Sequence, residues 1–130
     1  APSATTALNL ALEHQYTDRS VFEEFLEKAY ALNPSDNVTL YLKGKNLIEN
    51  GKTAEGRNLY QKAYDSWKGM FDNNNMNKWD YSWFASCATA LGKTDMARII
   101  KASEPNQKYE NLYSADNLTQ FYNASEIVKK

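Results

Sequence analysis

The chain has 130 residues, a formal net charge of −1, and 42% apolar and 13% aromatic residues. That length suits one domain with a core, not two. The aromatic share argues against disorder, and the balanced charge gives no long-range pull toward nucleic acid or an anionic membrane.

The single cysteine excludes an internal disulfide and leaves the redox compartment open. No apolar run approaches the ~20 residues needed to span a bilayer, so membrane insertion is not expected. The chain begins Ala1-Pro2-Ser3 without an initiator methionine. That start fits a processing site as well as the edge of an excised domain. The expected compartment is therefore intracellular by default, with export after signal-peptide removal as the alternative.

From Ala4 to Tyr16, the spacing of Ala7, Leu8, Ala11 and Leu12 predicts a first helix. Thr17 or Asp18 can cap a second, running to about Leu32, with Val21, Phe22, Phe25, Leu26 and Ala29 on one face. Glu23, Glu24, Glu27 and Lys28 fall on the other, which reads as a solvated face. Pro34 ends that segment, and Ser35 or Asp36 caps a third helix that stops at Asn50-Gly51. Thr53 is expected to cap a fourth, from Ala54 to about Phe71, before the polar run Asp72-Asn73-Asn74-Asn75.

A fifth helix is expected from Asn77 to Leu91, with aromatics at Trp79, Tyr81, Trp83 and Phe84 and then small residues from Ala85 to Ala88. The sixth, Thr94 to Ser103, stops at Pro105. A last amphipathic helix, about 115–129, carries Leu118, Phe121, Tyr122 and Val128 on one side and looks like a capping helix.

Parts of this pattern recur. Lys62-Ala63-Tyr64 repeats Lys28-Ala29-Tyr30 at an offset of 34 residues, and Gly92-Lys93-Thr94 repeats Gly51-Lys52-Thr53 at 41. The longer second interval is accommodated by a long fourth helix, Ala54 to about Phe71. A period in the thirties built from paired helices points to a stacked array, because one hairpin cannot bury its apolar face alone.

The residue types resemble the tetratricopeptide family over Phe22 to Tyr64 and, more loosely, Tyr81 to Ile100. Leu40, Gly44, Leu47, Gly51, Gly56, Tyr60 and Ala63 stand at its apolar, small, turn and aromatic positions, and Pro34 matches the proline that closes a repeat. Lys43 departs from the leucine usual there. The resemblance implies an all-α, right-handed superhelical stack of antiparallel hairpins. Its repeats would cover about 4–34, 36–71 and 76–104. In the first helix the family register buries Asn9 and Glu13, whereas a shorter first turn buries Leu8, Leu12 and Tyr16. The latter is favoured, since an unpaired buried carboxylate is costly.

Motifs that suggest chemistry have plainer readings. Each Gly-Lys-Thr lacks the first glycine of a phosphate loop, with Asn46 and Cys87 in its place, and each sits where a hairpin must turn. Cys87 and His14 are the only thiol and imidazole; a buried inert thiol is expected, and a zinc site is not credible. Glu13 and Glu55 are not singled out as an acid–base couple by any spacing. Asn37-Val38-Thr39, Asn117-Leu118-Thr119 and Asn123-Ala124-Ser125 match the glycosylation tripeptide but fall at or inside predicted helices. No cofactor and no enzyme activity are expected.

In such stacks the first helix of each pair lines a concave groove. The resemblance therefore implies that Tyr41, Lys45, Ile48, Trp79, Trp83 and Ser86 face it, with Ala7, Leu8 and Ala11 added if the first register holds. Tyrosine and tryptophan beside one lysine suit an extended peptide or a partner helix. The family's clamp for a chaperone's terminal carboxylate is missing, since Ala7, Ala11, Leu42, Trp79 and Trp83 occupy its places. Two alternatives stay open: Trp79 and Trp83 cover the core or the terminal helix, or the domain serves assembly or self-association with the groove filled by that helix. RNA binding is disfavoured by the balanced charge.

Overall fold

A computed structural model describes residues 3–105. Among these residues there are six helices and no strand: α1 (Ala4–His14), α2 (Arg19–Leu32), α3 (Asn37–Glu49), α4 (Thr53–Asp72), α5 (Tyr81–Ala90) and α6 (Thr94–Ala102). The expected terminal helix at about 115–129 lies outside the described residues. No helix among them is long and apolar enough to cross a membrane.

Short polar side chains start the first three helices. Ser3, Asp18 and Asp36 accept the backbone N–H three residues on, at 3.1, 3.2 and 2.9 Å. Asp36 also accepts the Thr39 hydroxyl at 2.7 Å. Each bond satisfies a donor that the first helical turn leaves free. The expected Thr53 cap is absent. Lys52 takes that position without a side-chain bond, and Thr53 is already helical.

Helix ends explain the duplicated Gly-Lys-Thr. At Gly51 (φ +87°) the Lys52 N–H donates to the Leu47 carbonyl at 2.8 Å, and Gly51 N–H to Ile48 at 3.0 Å. At Gly92 (φ +80°) Lys93 and Gly92 make the same pair of bonds to Ala88 and Thr89. This crossed pair of bonds closes a helix through a residue in left-handed conformation, which glycine adopts without strain. Asn74 (φ +57°) does the same after α4, where Asn75 and Asn74 donate to Met70 and Phe71. Both Gly-Lys-Thr copies are thus helix stops.

The closest packing joins α1 with α2, α3 with α4, and α5 with α6; α2 also meets α3, and α4 and α3 meet α5. Within the second pair the crossing is backbone on backbone. A Cβ on Gly44 would lie 2.7 Å from the Gly56 carbonyl oxygen and 2.9 Å from Tyr60 Cδ1. Ala7 and Ala11, both fully buried, are small residues in the corresponding part of α1.

α4 is the longest of the described helices, at 20 residues, and its C-terminal turns have a clear packing role. They carry Trp67 and Phe71 onto Phe84 of α5, with ring centroids 5.9 and 5.8 Å apart, beside a Tyr64–Phe84 contact at 5.4 Å. Trp67 is fully buried, and its indole N–H donates to Asp80 at 3.1 Å. Burial raises the Asp80 carboxyl above its ordinary value; the Trp67 bond opposes this, and nearby Asp36 adds to it.

The first two hairpins are also tied by polar side chains. Arg19 donates to Asn46 at 2.6 Å and Glu49 at 2.8 Å, while Asn50 donates to Glu23 at 3.1 Å. The Asn50 and Asn46 amides hold the Glu23 carboxyl below its ordinary value. Lys43 pairs with Glu27 and lies over the Tyr30 ring, 4.8 Å from its centroid. The acidic face expected to be merely solvated is therefore partly a seam against α3. Lys43 serves that seam from the α3 side.

Candidate interaction surface

Tyr41, Lys45 and Ile48 recur at helical spacing on α3, and all three are half-buried. Tyr41 stacks on Tyr60 of α4 with centroids 5.1 Å apart and meets Trp83 of α5 edge-on at 6.0 Å. Two of the expected groove residues, Tyr41 and Trp83, are thereby brought into contact across the α3–α5 boundary. Ile48 reaches back to α4, where a Cβ on Gly56 would lie 2.5 Å from its Cγ1. Ser86 is exposed on α5, one turn beyond Trp83.

Trp79 does not join them on a helix. The expected fifth helix from Asn77 begins only at Tyr81. Asn77 explains the delay: its side-chain oxygen accepts the Trp79 N–H at 2.9 Å, and its carbonyl accepts the Asp80 N–H at 3.0 Å. Such local bonds compete with helix. Trp79 is left 66% exposed, with the Lys78 ammonium 5.0 Å from its ring centroid.

In α1 the sequence-favoured register holds for Leu8 and Leu12, which pack against the core, while Asn9 and Glu13 are exposed. It fails at Tyr16. The helix ends at His14, and Tyr16 stands 85% exposed after it. Ala7 and Ala11 are fully buried and offer nothing to a groove.

Sequence reasoning did not foresee how Tyr60 and Tyr16 stand relative to Tyr41. Tyr60 is the hairpin's internal aromatic, as expected, 6% exposed; its ring also stacks against Tyr41. Tyr16 was expected inside, but it lies near enough to oppose ionisation of Tyr41. Burial is the main cause that raises the Tyr41 phenol, followed by Cys87 and Tyr16. Tyr60 is pushed up to about 12, mainly by burial, with Tyr41, Cys87 and Glu49 adding and Arg57 opposing. Both phenols are neutral hydrogen-bond donors at neutral pH.

Cys87 is fully buried; its thiol donates to the Tyr60 carbonyl at 3.2 Å, and burial pushes it up to about 12. A thiol held protonated and covered is not a nucleophile at neutral pH. The His14 Nδ1 lies 3.0 Å from the Leu10 carbonyl, within its own helix. Asn37 of the first glycosylation tripeptide is 6% exposed, and its amide donates to Ser66 at 3.0 Å. Buried and engaged, it is closed to a glycan in the folded chain. The other two tripeptides lie outside the described residues.

The chain matches no family model, no curated protein and no solved structure.

Proposed function

We propose that this chain is a protein-binding module whose three hairpins stack as a right-handed, tetratricopeptide-like superhelix, presenting the α1–α3–α5 side to a peptide or partner helix. The observation that carries the reading is the half-exposed Tyr41–Trp83 contact, backed by Tyr60. It joins two successive first helices through aromatic side chains on one accessible surface. Aromatic anchors on packed helices lose little freedom on binding, which favours them as interaction sites. Ile48, Lys45 and Ser86 extend the surface along the same two helices, and Tyr16 adds a third aromatic from the end of α1.

The test is capture from native extract by the wild type, by Tyr41→Ala/Trp83→Ala, and by a control altered at exposed Glu24 of α2. Circular dichroism must first show that all three keep their helix content. A protein retained by wild type and control but lost by the double variant supports the groove. Equal capture by all three places binding elsewhere. A wild-type dimer that captures nothing favours an assembly role instead.

A further inference from the structure

Three lysines among the described residues are half-buried, and two of them have a carboxylate. Lys43 pairs with Glu27, and Lys68 with Asp72 at 2.7 Å. Lys45 makes no ion pair among the described residues. Its natural helical partner is Glu49, four residues on. That carboxylate is held instead by Arg19 at 2.8 Å. Lys45 lies between Tyr41, one turn before it, and Ile48, about one turn after, on the helix whose Tyr41 meets Trp83.

A half-buried lysine beside aromatic side chains, with no carboxylate partner among the described residues, is complementary to a partner that brings one. We propose that the surface takes a peptide segment in which an aspartate or glutamate side chain reaches Lys45. An apolar or aromatic neighbour of that residue packs on Tyr41 and Trp83. The proposal rests on the groove reading above and adds the chemistry of its ligand. A chain-terminal carboxylate fits less well. Gripping it takes several converging cations or amides, and the nearby Arg19 is already committed to Asn46 and Glu49.

The experiment is selection of random peptides, displayed with a free N-terminus and a blocked C-terminus. The full chain is used as wild type, Lys45→Gln, Lys45→Glu and Tyr41→Ala/Trp83→Ala, each first shown to fold. The wild type should enrich peptides with an acidic residue beside an apolar one. Lys45→Gln should lose the acidic preference, and Lys45→Glu should replace it with a basic one. A wild-type-selected peptide should bind Lys45→Gln about tenfold more weakly, as expected for a lost charge-assisted contact.

An acidic preference that survives in both Lys45 variants overturns the proposal, as does enrichment without any acidic preference. Binding that appears only when the C-terminus is freed also overturns it. If selected peptides bind the Tyr41→Ala/Trp83→Ala variant undiminished, or if none is enriched, the groove reading itself fails.

Discussion

Gly44 and Gly69 are both helical glycines, and their surroundings predict opposite responses to a methyl group. On an exposed helix, glycine to alanine gains up to about 1 kcal/mol of propensity. A Cβ at Gly69 meets nothing within 4 Å, so Gly69→Ala should raise the melting midpoint by roughly that gain. At Gly44 the same Cβ meets a backbone oxygen at 2.7 Å, which no rotamer change relieves. Overpacking costs about 1–3 kcal/mol, so Gly44→Ala should be destabilising on balance. Paired thermal melts check both; a stabilised Gly44→Ala would remove the close crossing of α3 and α4.

Buried Cys87 and Tyr60 predict the alkaline limit of the fold. In the unfolded chain the thiol ionises near its ordinary 9.0 and the phenol near 10.0, but both are pushed up to about 12 in the folded chain. The folded state therefore holds more protons across that interval, and stability falls as pH rises through it. Stability measured by urea titration should begin to decline above about pH 9 in the wild type. In Cys87→Ala, which removes the first of the two groups, the decline should begin nearer pH 10. An unchanged onset would mean that the thiol is not shielded.

At the scale of elements, the end of α4 depends on one polar contact inside an aromatic cluster. Trp67→Phe keeps a ring against Phe84 but leaves the half-buried Asp80 without its indole donor. The loss should cost about 1–3 kcal/mol at neutral pH. It should shrink on acidification, because the missing bond favours the ionised carboxylate and burial already raises that carboxyl. Urea titrations at neutral and acidic pH test this; a cost independent of pH would assign it to ring packing alone.

Which elements were legible follows from the kind of force that sets them. Of the paired candidates Thr17 or Asp18 and Ser35 or Asp36, the aspartates do the capping. Caps act within three residues, so these helix starts were legible to within one residue. Gly51 and Gly92 mark stops for an equally local reason, the left-handed φ. Three local readings failed. Thr53 became helical because the Gly51 turn closes through Lys52, one residue sooner. The fifth helix started late because the Asn77 side chain bonded its own backbone.

Tyr16 came outside because α1 stops two residues short of it. The seam formed by Arg19, Glu23, Glu27 and Lys43 was not legible at all, since nothing local says that two charged helix faces will meet. Its exposed pairs contribute little individually, about 0–1 kcal/mol each. They orient the first hairpin on the second more than they hold it.

At the largest scale, three hairpins among the described residues share one core that runs from Phe22 and Leu26 through Leu40 and Leu42 to Phe84 and Ile100. Each hairpin buries part of its apolar surface only against a neighbour, so the array should melt as a unit. Tyr41 and Trp83 belong to different hairpins and meet only when both are docked. The proposed site therefore depends on the packing of α3 against α5. Tyr41 and Trp83 fall within helices that the sequence predicted; the support from Tyr60 and the approach of Tyr16 needed the third dimension.

The most direct measurement is hydroxyl-radical footprinting of the full chain, free and bound to a peptide selected on it. The account predicts that Tyr16, Tyr41 and Trp83 are oxidised in the free protein while Trp67 and Phe84 are not. On binding, those three should be protected together and the exposed Trp79 left unchanged. Protection elsewhere with those three still reactive, or a Trp83 already protected in the free chain, would contradict an open groove between α3 and α5.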